Sequence, residues 1–159
     1  VIRRLATLFL LLLATPAGAE EGVAAGAARD GITGTWTGHY TCAQGNTAMA
    51  LTITPMGGPR VTALFHFEAA ADNPEVPTGC YEMVGEYDAL RGRLRLSPWR
   101  WLMRPPFYVM VALDGRLAPD GTLAGEVRGP GCTSFAVTRA ARPSDPEACR
   151  RGGPLLSLR

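Results

Sequence analysis

The sequence has no lysine, only two histidines, no CxxC pair and no long hydrophobic run. Each absence removes a class of protein. The missing CxxC argues against a structural zinc site or a thioredoxin-type redox centre. Neither a G-x-S-x-G elbow nor a His-Glu-x-x-His helix is present, so the best-marked hydrolase and metalloprotease signatures are lacking. His39 and His66 have no second ligand nearby in sequence, and an exposed strand face accounts for both. No catalytic residue, metal ligand or cofactor is expected. The longest apolar run, Leu5 to Ala14, is about ten residues. A spanning helix needs about 20.

That run has another meaning. Arg3 and Arg4 precede it, Pro16 breaks it, and Ala17-Gly18-Ala19 follows. A basic start, a short apolar centre and a small-x-small site make an export signal. No cysteine follows the run, so a lipid anchor is not expected. Cleavage after Ala19 removes two of the 16 basic residues and none of the 14 acidic ones. The mature chain is then neutral. A neutral surface without lysine lacks the clustered basic face of a nucleic-acid binder. The expected organisation is a signal over 1–19, a flexible Ala/Gly-rich leader over 20–31, a β domain over 32–140 and an irregular tail over 141–159. The expected location is periplasmic or secreted, in a bacterium, with no membrane attachment after cleavage.

Four cysteines, Cys42, Cys80, Cys132 and Cys149, suit an exported chain with two disulfides. From residue 34 to 139 apolar residues alternate with polar ones, and turn residues recur about every eight to twelve positions. Eight strands are expected, over 34–41, 47–54, 60–68, 80–87, 92–96, 107–113, 122–128 and 133–139. The fold class that follows is all-β, an eight-stranded antiparallel up-and-down barrel, with a two-sheet β-sandwich as the alternative. In an up-and-down order the loops 42–46, 69–79, 97–106 and 129–131 share one end. Such loops serve as a lid, a binding rim, or both. Large residues at Phe65, Phe67, Tyr81, Met83, Tyr108, Met110 and Phe135 are candidates to fill the interior.

Closure makes the first and last strands antiparallel neighbours, which brings Cys42 and Cys132 to the loop end. Their pairing would set Trp36 one residue off Arg139, a slip that a bulge or a cysteine just beyond the ladder absorbs. Cys80 is left for Cys149. The ten residues after Arg139 span at most about 33 to 36 Å, enough for the tail to climb the wall as a strap. Arg91, Arg93 and Arg95 are expected to form a solvated face paired with Glu82 and Glu86. The segment from Trp99 to Pro106 crowds two tryptophans and two arginines into an expected loop, and these are common anchors of binding surfaces. The candidate binding rim is therefore Gln44, Asn46, Trp99, Arg100, Trp101, Arg104 and Tyr108.

Gly34-Thr35-Trp36 resembles the G-x-W that opens the first strand of calycin-type barrels, the lipocalins and avidins. The resemblance implies that a basic residue of the last strand, here Arg139, packs over Trp36 and closes one end. A wider pattern resembles a bacterial extracytoplasmic domain of unknown function, which also occurs attached to caspase-like peptidases. It consists of Trp36-x-Gly38-x-Tyr40-x-Cys42-x-Gln44-Gly45, Asn73-Pro74-x-Val76-Pro77-x-Gly79, Pro105-Pro106-x-Tyr108-Val109-Met110-Val111-x-Leu113-x-Gly115 and Gly131-Cys132-x-x-Phe135. Cys80 and Cys149 are additions to that pattern. The resemblance covers residues 32 to 140 and implies architecture and compartment, with no active site. Three functions stay open. The first is a non-enzymatic binding module for a small apolar ligand. The second is an inhibitor or accessory domain docking a partner protein such as a peptidase. The third is an enzyme. A lined cavity would favour the first; a filled barrel with a protruding Trp99 or Trp101 would favour the second.

Overall fold

The computed structural model describes residues 31–142 and Cys149. The segments expected to be an export signal and a leader, up to residue 30, and the rest of the tail lie outside the described residues. The strands are β1 (Gly34–Cys42), β2 (Gly45–Pro55), β3 (Arg60–Glu68), β4 (Gly79–Asp88), β5 (Arg93–Met103), β6 (Ala112–Leu117), β7 (Thr122–Arg128) and β8 (Ser134–Arg139). Each pairs antiparallel with the next, and β8 pairs with β1, so the sheet closes into an up-and-down barrel.

Alternation sets which side chains enter. Trp36, Leu51, Phe65, Met83, Leu94, Leu113, Leu123 and Val137 are buried in the lumen, while Glu82, Arg95 and Arg128 lie on the outer face. Apolar-in and polar-out is the reverse of a lipid-spanning barrel. No described helix is long and apolar enough to cross a membrane. The narrow bore needs small residues where a large one passes. A Cβ on Gly115 would come within 2.5 Å of the Phe135 ring, so glycine there lets the ring lie across β6.

The end opposite the long loops is closed as the calycin-type resemblance implies. Trp36 pairs with Arg139 in the β1–β8 ladder, and the guanidinium carbon lies 4.6 Å from the centre of the indole. The indole N–H donates to the Ile32 carbonyl at 2.9 Å. Arg139 donates to the carbonyls of Thr33 and Gly31. The chain entering β1 is thereby tied across the barrel floor.

Both expected disulfides are present, Cys42–Cys132 and Cys80–Cys149. The ladder from Trp36↔Arg139 ends at Tyr40↔Phe135, and Thr133 donates to the Thr41 carbonyl beyond it. Cys132 thus sits just past the paired residues, which absorbs the one-residue slip. Two disulfides fit an oxidising, extracytoplasmic environment.

Two elements depart from the sequence reading. β5 runs on to Met103, through the segment expected to be a loop. It does so with two register shifts against β4, so that Trp99 and Leu102 are the extra residues. Bulges of this kind let a strand continue past a proline such as Pro98. β6 starts at Ala112 instead of 107, and the connection before it is Arg104 to Val111. Its apolar residues read as a strand because an apolar run carries no mark of whether it is paired or, as with Phe107 and Val109, exposed in a loop. The arginine stripe also has other partners. Arg93 and Arg128 bond Asp114 of β6, Arg91 bonds Asp88, and Glu82 bonds Arg100. Glu86 does lie opposite Arg95 in the register.

Candidate functional site

The loop end holds an open cup of about 340 Å³. The β1–β2 turn forms one lip. Gly45 has φ 92° there, a left-handed conformation that glycine adopts freely. A Cβ on it would stand 3.0 Å from Asn73 Nδ2. That amide instead donates to the carbonyls of Gln44 (2.6 Å) and Asn46 (2.9 Å), and Asn46 Nδ2 donates to the Asp72 carboxylate. The β3–β4 loop is so clamped to the turn.

The wall of the cup is aromatic. Tyr108 stacks on Phe67 with ring centres 5.4 Å apart and planes 15° apart. Tyr40 meets Phe65 and Phe67 edge-on. Beneath, Tyr81 stacks on Phe65 at 4.8 Å, and its hydroxyl both donates to and accepts from the Val111 backbone. Burial raises the hydroxyl pKa of Tyr40, Tyr81 and Tyr108 above the usual tyrosine value, so all three stay neutral. The Cys42–Cys132 disulfide forms part of the rim.

The expected rim residues divide into groups. Gln44 and Tyr108 line the cup. Gln44 Nε2 donates to the hydroxyls of Tyr40 (3.1 Å) and Thr47 (3.2 Å). Asn46 stands beside the cup as a clamp. Arg104 is exposed, and its Nε donates to the Tyr108 carbonyl. Trp101 points inward from β5, edge-on to Tyr81 at 5.1 Å and to Phe67 at 6.4 Å, so it buttresses the cup. Trp99 and Arg100 are not at the mouth. They lie on the outer wall, the guanidinium 4.8 Å from the Trp99 ring, beside Glu82 and Cys149.

Sequence reasoning missed Phe107 and Val109 as rim residues. Phe107 is fully exposed and has φ 65°, a conformation unfavourable for a bulky residue. Val109 is also exposed. The Pro105-Pro106 pair was the available signal, since it interrupts pairing on both sides.

On the outer wall His66 is buried, and desolvation lowers its pKa, with Glu68 acting weakly against that. Among the described residues no cluster of His, Cys, Asp or Glu could hold a metal ion. A comparison with known protein families matches none of them, and a search among curated proteins finds no relative.

Proposed function

We propose that this chain is an exported binding module, a calycin-like barrel whose loop-end cup takes a small apolar molecule without chemical conversion. The cup itself carries this reading. It is concave and lined mainly by aromatic and aliphatic side chains with a few fixed polar groups, the usual make-up of a small-molecule site. Below it the lumen is filled by Phe65, Tyr81, Met83 and their neighbours, so a ligand would sit in the mouth and not run down the barrel. The Trp36–Arg139 closure supports the calycin-like assignment, and the two disulfides support a periplasmic or secreted location.

The second reading, a domain that docks a partner protein, is favoured by Phe107 and Val109, which stand exposed at the rim. Native mass spectrometry of protein purified from an oxidising bacterial compartment separates the two. A retained mass of a few hundred daltons is expected. Retention of a polypeptide instead would transfer the site to the docking reading. Bare protein that also takes up no apolar dye at the mouth would sink the small-ligand reading.

A further inference from the structure

The residues lining the cup include no acid, no arginine and no histidine. Among the described residues the titratable side chains that line it are three tyrosines, neutral at pH 7 at their ordinary pKa of about 10, which burial raises further. Arg104, in the connection that carries Tyr108, is engaged with the Tyr108 carbonyl. A ligand bearing a carboxylate would enter a largely apolar space without a countercharge, which is strongly unfavourable.

Shape narrows the class further. The cup, at about 340 Å³, is roughly twice the ~150 Å³ of an apolar cavity that holds one benzene. Its wall is built of ring faces and edges. Tyr108 and Phe67 present a stacked pair, and Tyr40 stands across them at an interplanar angle of 82° to Phe67. Flat ligands meet such walls by stacking or edge contacts. A flexible alkyl chain would lose rotamer freedom there and stack on nothing. Phe107, fully exposed at the rim, gains a contact partner when a ring occupies the mouth.

One polar handle is fixed in orientation. The amide nitrogen of Gln44 is committed to Tyr40 and Thr47. With the nitrogen so engaged, the oxygen Oε1 is the acceptor that Gln44 brings to the cup it lines. Tyr40 and Tyr108 line the same cup, and the Tyr40 hydroxyl is the group that Gln44 bonds. A ligand with a hydroxyl or N–H group would satisfy Oε1 while its rings lie on the aromatic wall.

We infer that the cup takes a neutral, flat molecule of one or two rings carrying a hydroxyl or N–H donor, held by Gln44 and the Tyr40–Phe67–Tyr108 wall. This rests on the small-ligand reading above and names its chemistry. The test uses the oxidised, signal-processed protein and four probes in isothermal titration at pH 7: 2-naphthol, naphthalene, 2-naphthoate and decanoate. The expected order places 2-naphthol first, about 3- to 10-fold tighter than naphthalene, the worth of one hydrogen bond. It should exceed 2-naphthoate and decanoate by more than about tenfold. Gln44→Leu should erase the advantage of 2-naphthol over naphthalene, read as the ratio of the two affinities in the same variant, with its melting curve reporting that the barrel is folded. If Gln44→Leu does not fold, the four-probe order on the unaltered protein still decides. Tighter binding of 2-naphthoate or decanoate than of 2-naphthol would overturn the ligand class while leaving the small-ligand reading in place. Equal affinity for 2-naphthol and naphthalene would overturn the role of Gln44. Failure of all four probes would overturn the ligand class and the small-ligand reading together.

Discussion

Removing the indole at the barrel floor should be the most damaging single change outside the disulfides. Trp36 is 1% exposed, so Trp36→Ala opens a large cavity among β1, β2 and β8. Such truncations cost about 3 to 5 kcal/mol. The change also removes the ring beneath Arg139, a contact worth about 0.5 to 2 kcal/mol. The Ile32 carbonyl loses its donor as well, at about 1 kcal/mol. These losses overlap because all three depend on the same ring, so about 4 to 6 kcal/mol is the expected total. For a domain of this size, 1 kcal/mol moves the melting temperature by roughly 4 to 8 °C, so a loss of about 4 to 6 kcal/mol should lower it by about 15 °C or more. Trp36→Phe keeps part of the ring and should lose much less. Thermal and urea unfolding of the oxidised protein measure both. A cycle of Trp36→Leu with Arg139→Gln then measures the cation–ring coupling. An unchanged melting curve for Trp36→Ala would remove the indole from the core. A coupling near zero would leave the ring in place but deny Arg139 its part in closing the floor.

The two rim-segment tryptophans should part company. Trp101→Ala, which strips a ring from Tyr81 and Phe67, should cost about 2 to 3 kcal/mol. Trp99→Ala, on the exposed wall, should cost under about 1 kcal/mol, and equal losses in urea titrations would contradict the inward and outward placement. Non-reducing peptide mapping should recover Cys42 with Cys132 and Cys80 with Cys149. Cys42 joined to Cys80 or Cys149 would break the β1–β8 closure, and loss of the native Cys42–Cys132 link should cost about 2 to 4 kcal/mol. Asp114 accepts a bond from Arg93 that lowers its carboxyl pKa; burial opposes this, and the charges of Arg93, Arg128 and Arg95 reinforce it. Because the folded value is the lower one, this stability is present above the unfolded carboxylate pKa of about 3.9 and is lost as pH falls through the folded value. Asp114→Asn should therefore flatten the acid limb of a melting-temperature profile below about pH 4; an acid limb of unchanged slope would refute that role.

Much of the architecture was readable along the chain because it rests on local rules. Period-two alternation marks strands buried on one face, turn residues mark their ends, and an up-and-down order follows from short connections. Closure in turn placed Trp36 against Arg139 and Cys42 against Cys132, since those contacts depend on strand order and register, and the reach of the tail left Cys149 for Cys80. Local rules failed where tertiary packing competes with them. Pro98 and the crowded residues after it looked like a loop, but β4 offered a partner and two bulges absorbed the mismatch, so Trp101 turned inward and Trp99 outward. Residues 107–111 looked like a strand, but Pro105 and Pro106 offer no N–H of their own to a ladder, Phe107 leaves the extended conformation at φ 65°, and Tyr108 stacks on Phe67 instead. The cup belongs to the tertiary structure alone. Its wall joins Tyr40, Phe67 and Tyr108 from distant parts of the chain, and no spacing within any one strand encodes the space left between their rings.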